Sequence, residues 1–205
     1  MASPIAHSFA GIWTSWLLMP RLASKRFDSS RACLPKILAL VVLANLPDLD
    51  FLLELGFRAN ELHRGFTHSL LAAVVVSLGL SFAWWIVPGF WRSALLYFTA
   101  YGSHLLIDLC TGTSLGWTNT GSGIPLFWPW RHEFSSPLIF LFGVRHANLA
   151  ALFGIDNIRS YIYELSACGA ITLVLLILWN QNLNLRINPS GSKMKRTLAE
   201  PEAHK

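Results

Sequence analysis

Imidazoles and carboxylates fall in three short blocks of an otherwise apolar chain. The first is His104-Leu-Leu-Ile-Asp108. On a helix, residues four apart share a face, so this imidazole and carboxylate enter the same space. That spacing suits two ligands of one Zn²⁺ or similar ion, and equally suits a buried hydrogen bond. The second block is His63-Arg-Gly-Phe-Thr-His68-Ser69, with two imidazoles five apart and Gly65 free to turn the chain. Its plain alternative is a helix start capped by Thr67 or Ser69. The third is Asn45-Leu-Pro-Asp48-Leu-Asp50, where Pro47 breaks a helix and leaves two acids at its end. Negative charge is unfavourable at a helix C-terminus, and a bound cation would offset that cost. The two acids point to one side only if the segment is extended. His7, near the start of the first apolar run, is a further candidate.

Four histidines and three aspartates exceed what one tetrahedral ion needs. Either two ions bind, or some members orient the ligands through the second imidazole nitrogen. The candidate ligands are His7, Asp48, His63, His68, His104 and Asp108, with Asp50 assigned to catalysis. Arg64 either stabilises an anionic substrate or a developing oxyanion, or snorkels to an interface. Glu133, beside His132, is a candidate general base.

The elements that must position these groups read as membrane helices. Of the 205 residues, 53% are hydrophobic and only 13% charged, about half the charged share of soluble domains. Several of the nine Trp stand near the ends of apolar runs, where a bilayer interface places them. Ser69–Trp91 and Leu165–Leu185 carry no charge and are each long enough to span. Pro4–Met19, Leu34–Leu55 and Ser93–Leu109 are weaker spans, and Pro137–Ile155, with Arg145, His146 and Asn148 inside it, reads as an interfacial or re-entrant segment. The expected fold class is therefore all-α, a polytopic membrane helix bundle of about four to five spanning helices plus an interfacial segment. It occupies residues 1–187, and residues 188–205 form a disordered polar tail. Met1–Ser8 lacks a basic stretch, so no cleavable leader is expected. Cys33, Cys110 and Cys168 are scattered and read as small apolar fillers.

Helix parity then sorts the polar groups. His7 starts the first helix, Asp48 and Asp50 end the second, His63 and His68 precede the third, and His104 and Asp108 end the fourth. If consecutive helices alternate in direction, all arrive at one end of the bundle. The opposite end receives Arg21–Lys36 and the tail from Arg186, which hold most of the excess positive charge of +5. The positive-inside rule puts that end in the cytoplasm and the histidine–aspartate cluster on the non-cytoplasmic side. Basic residues gathered in flanking loops, without interleaved aromatics, also argue against a nucleic-acid partner.

The blocks LPDLD (Leu46–Asp50), HRGFTHS (His63–Ser69) and HLLIDLCTGTSLG (His104–Gly116) occur in an order that resembles the LexA-regulated, YdjM-like family of inner-membrane-associated metal-dependent hydrolases. His7 with Gly11, and the P-x-x-W-P of Pro125–Pro129, also fit that family. The resemblance runs from about His7 to Pro129 and implies a bacterial inner-membrane protein with hydrolase chemistry. The order of ligands is more faintly similar to helical zinc phospholipases C and single-strand nucleases, which cleave phosphoesters. This chain lacks their N-terminal Trp ligand.

The leading expectation is a metal-dependent hydrolase, with a divalent metal such as Zn²⁺ as cofactor and membrane lipid around it. A phosphoester or phospholipid-like substrate is expected at the bilayer surface. Metal or proton transport is the second class, since intramembrane ionisable groups also mark ion paths. In the third, the polar groups only fix helix packing.

Overall fold

Among the described residues, five α-helices carry most of the chain. The structure, a computed structural model, describes residues 2–23, 30–50, 65–83, 85–130, 132–144 and 154–187. The helices are α1 (Pro4–Leu22), α2 (Ser30–Asn45), α3 (Leu70–Ser81), α4 (Phe90–Leu109) and α5 (Ile155–Ile187). The chain divides into two compact units, Met1–Leu165 and Ser166–Lys205. Every candidate site residue belongs to the first.

In that unit α4 packs against α1, α2 and α3, and α1 packs against α2. The core is built on Leu40, Leu43, Leu96, Tyr97, Ala100, Tyr101 and Leu105, with Ile124 closing it from the loop region. Along α3 the buried face is Ala72, Ala73, Ser77 and Ser81, while Leu71, Val74, Val75 and Leu80 are exposed. On α2, Leu34, Leu38 and Val42 recur every four residues as one exposed apolar stripe. Water penalises such a surface; lipid does not, and small inward residues let membrane helices approach closely.

One expectation about the spans is met in part, and another needs correction. Among the described residues only Asn157–Gln181, inside α5, is both long and apolar enough to cross a membrane on its own, and 11% of its most apolar window is buried. Ser69–Trp91 does not form one span. Its helix is the 12-residue α3, about 18 Å long at 1.5 Å per residue against a hydrocarbon core of about 30 Å. Pro88 cannot continue a helix, and Gly89, at φ 97°, turns the chain into α4. α1 and α4, with 19 and 20 residues, have the length but carry inward polar groups that dilute their hydropathy.

A small β element was not expected in an all-α fold. Among the described residues, four two-residue strands follow α4: β1 (Thr111–Gly112), β2 (Gly116–Trp117), β3 (Leu138–Ile139) and β4 (Leu141–Phe142). β1 pairs parallel with β4, and β2 pairs antiparallel with β3. The start of the segment expected to be interfacial is thus β-paired, while residues 145–153 lie outside the described residues, as does the 188–205 tail.

Candidate metal centre

Each helix end that carries a site residue has a local reason to stop there. α1 starts at Ser3, whose Oγ accepts the Ile5 N–H at 3.1 Å, with Pro4 in the first turn. His7 follows one turn later, fully buried. α2 stops at Asn45, whose Nδ2 donates to the Val41 carbonyl at 2.8 Å and to Ser8 Oγ at 3.2 Å. Leu46–Leu49 then tightens into a 3-10 turn at Pro47. The segment is not extended: with about three residues per turn, Asp48 and Asp50 point in different directions.

Phe66–His68 is a second 3-10 turn before α3. Ser69 is the cap, its Oγ accepting the Ala72 N–H at 3.1 Å. Thr67 has another task, donating its hydroxyl to Asp50 Oδ2 at 2.7 Å. From α4, the Tyr101 hydroxyl donates to the Thr67 carbonyl at 2.6 Å and pins this turn. His104 and Asp108 stand on the buried face of α4, both without exposure.

These ends converge. His68 Nε2 lies 3.3 Å from His104 Nε2 and 3.3 Å from Asp48 Oδ1. His104 Nε2 lies 3.5 Å from Asp48 Oδ1 and 3.4 Å from Asp108 Oδ2. His68 Nε2 to Asp108 Oδ2 is 3.7 Å. An ion held by four N and O ligands at about 2.0–2.1 Å in a tetrahedron sets ligand–ligand edges of about 3.3–3.4 Å. Five edges of this tetrad lie close to that value.

The imidazole tautomers agree. His104 Nδ1 is 2.9 Å from the Ala44 carbonyl, which can only accept, so the proton sits on Nδ1 and the Nε2 lone pair faces the cluster. His68 Nδ1 is 3.1 Å from Thr67 Oγ1, whose hydroxyl is already donated to Asp50, so Nδ1 is again the donor. Two imidazole nitrogens facing each other at this distance share a proton or a cation. Among the described residues, Asp48 Oδ2, Asp108 Oδ2 and both nitrogens of His7 make no hydrogen bond although all are buried. Buried polar atoms are normally satisfied, and a cation would satisfy these.

His7 lies just outside the tetrad. Its ring stacks on His104 with centroids 3.7 Å apart, and its Nε2 is 3.7 Å from Asp48 Oδ2 and 3.6 Å from Asp108 Oδ1. Burial alone would lower the His68 pKa, but hydrogen bonds to Asp48 and Asp50, and the Asp108 charge, outweigh it and raise the group to about 9.

Of the sequence-predicted residues, His7, Asp48, His68, His104 and Asp108 come together. Asp50 meets the far side of His68, with its Oδ2 3.6 Å from Nδ1. Glu133 is exposed and sits against Gly123. His63 and Arg64 fall outside the described residues. The sequence reading misses the Ala44 carbonyl, Tyr101 and Glu164.

A curated relative, inner membrane protein YbcI of Escherichia coli (strain K12), is 36% identical over 110 residues, 51% of this chain. The match covers 60% of that relative's own length. No solved structure matches the chain. Residues 1–183 match the family described as YdjM inner membrane protein, which takes in all four helix ends of the cluster. The chain belongs to the YdjM inner membrane protein family.

Proposed function

We propose that the chain is a membrane-embedded metal-dependent hydrolase that cleaves a phosphoester, of phospholipid-like type, at the bilayer surface. One observation carries this reading: the cluster offers two kinds of position across the same pair of carboxylates. Asp48 Oδ1, His68 Nε2, His104 Nε2 and Asp108 Oδ2 make a closed set of four. On the other side, His7 Nε2 stands 3.7 Å from Asp48 Oδ2 and 3.6 Å from Asp108 Oδ1, which we read as a second position with three donors. Three protein donors are what catalytic sites use to leave a coordination position open. Two positions bridged by carboxylates are the arrangement of two-ion phosphoesterases.

The mixed N and O donors and the tetrahedral edges suit Zn²⁺. Bound ions would supply Lewis acidity and a water acidic enough to attack near neutral pH. The residues do the rest. Asp50 and Thr67 hold His68 Nε2 inward, and the Ala44 carbonyl does the same for His104. Asp48 keeps 15% of its side chain exposed while the four other cluster side chains have none, so it marks the side from which substrate enters. Arg64 and His63 are assigned to the substrate anion and to a further ligand position on sequence grounds.

The helices are proposed to lie in the inner membrane as a multi-pass bundle, with the cluster at the non-cytoplasmic mouth. The inverted burial pattern of α3 and the apolar stripe on α2 support this. So does Lys36, the last basic residue of the Arg21–Lys36 stretch and part of α2, which reaches the Ile86 carbonyl at 3.2 Å, beyond the C-terminal end of α3 and away from its start beside His68.

The test is metal content and phosphodiesterase activity of detergent-purified protein. Two zinc ions per chain are expected, with activity lost on chelation and restored by zinc. His7→Ala should keep one ion and lose the activity. Full activity in His7→Ala, or a wild type that takes up no metal, would sink the reading.

A pH dependence follows from His68. Its Nε2 must lose a proton to accept an ion, so zinc affinity should rise about tenfold per pH unit from 6.5 towards 9 and flatten above. For the metal-free protein the sign is opposite. A folded-state pKa raised from 6.5 to about 9 gives stability that is full below 6.5 and lost as pH rises through 9. Thermal melts with and without zinc across this range should diverge, and parallel curves would refute the assignment.

A further inference from the structure

Glu164 lies on α5, nine residues before the apolar stretch that begins at Leu173, and it is fully buried. A buried carboxylate inside an apolar helix is costly and calls for a reason. Its partners supply one. Oε1 accepts the Ser3 N–H at 3.1 Å, and Oε2 accepts the Ser3 hydroxyl. Ser3 is the N-cap of α1. In an ordinary capping box a Glu three residues inside the helix accepts the N-cap N–H. Here that position is Ala6, which has no such group, and Glu164 performs the task from another helix.

The consequence reaches the cluster by two short routes. Next to Ser3, the Ala2 N–H donates to Asp108 Oδ1 at 2.9 Å, which orients the carboxylate and turns Oδ2 towards His68 and His104. In the other direction, the Ser3 carbonyl accepts the His7 N–H at 3.4 Å in the first turn of α1. A carboxylate at this end is also favoured by the helix dipole. Resting on the metal-centre reading above, we propose that Glu164 is a positioning residue for that centre: through Ser3 it fixes the start of α1, and so sets His7 and the Asp108 carboxylate.

The experiment is a double-mutant cycle read in zinc affinity, by chelator competition on detergent-purified full-length protein. Glu164→Gln keeps the size and one acceptor but replaces the other with a donor. Ser3→Ala removes the hydroxyl and keeps the N–H. Each should weaken zinc about tenfold or more, the range for residues that orient ligands. The double variant should be no weaker than the worse single, because both break one latch. Circular dichroism at the assay temperature establishes that α-helix content is kept, and Ser3→Ala serves if Glu164→Gln does not fold. Zinc affinity of Glu164→Gln within twofold of wild type, or additive losses in the double variant, would overturn the role. A wild type without zinc instead overturns the metal reading itself, and the latch role with it.

Discussion

Asp108→Asn is expected to lower zinc affinity at least about a hundredfold and to abolish hydrolysis, while the protein still folds. Asn has nearly the same volume as Asp, and its carbonyl can still accept the Ala2 N–H at the Oδ1 position. The amide then falls at the Oδ2 position, beside His104 Nε2 at 3.4 Å and His68 Nε2 at 3.7 Å, where its NH2 offers a cation neither a lone pair nor a charge. Asp108 also faces His7 at 3.6 Å, so the substitution removes one charge from both proposed ion positions. Orienting residues alone cost 10–100-fold in affinity, so loss of a ligand common to both positions should exceed that range. A hundredfold corresponds to about 3 kcal/mol. His104→Ala should match it. Equilibrium dialysis against zinc and phosphodiesterase assays check both, and wild-type zinc content in the two variants would remove the centre.

This pair was the most legible part of the site. His104 and Asp108 lie four apart on one helix, and helical geometry alone places them on one face. Helix parity also brought His7, Asp48 and His68 to the same end, because alternation depends on the order of helices and not on their lengths. The lengths were less legible. Hydropathy over Ser69–Trp91 reads as one continuous span, since it is blind to the turn at Pro88 and Gly89. The direction of Asp50 depended on whether Pro47 gives an extended segment or a 3-10 turn, and composition does not distinguish these. The strands after α4 are two residues long and pair β1 with β4 across a long loop, so no alternation could announce them. Glu164 meets Ser3 across a separation of 161 residues, and its capping role is legible only once α1 and α5 are in place.

Gly11→Ala is expected to destabilise the protein by about 1–3 kcal/mol, the range for overpacking a tight core, and to weaken zinc binding as well. A Cβ on Gly11 would stand 2.7 Å from the Val41 Cα and 2.9 Å from the Leu40 carbonyl oxygen. Both are backbone atoms of α2, so no side chain can swing away and the two helices must separate. The position is one turn along α1 from His7, on the same face, and Val41 is one turn before Asn45 at the end of α2. Separation therefore moves His7 away from Asp48, and the three-donor position opens before the tetrad does. Gly11→Leu should be more severe, with loss of folded protein. Gly79 is the control: it lies in the α3 helix, nothing stands within 4 Å of the Cβ it would gain, and Gly79→Ala should be neutral or stabilising by up to about 1 kcal/mol. Thermal unfolding in detergent separates the two glycines, and zinc stoichiometry of Gly11→Ala tells whether the loss falls first on the ion that His7 helps to hold. Equal melting temperatures for Gly11→Ala and Gly79→Ala would show that α1 and α2 do not meet backbone to backbone.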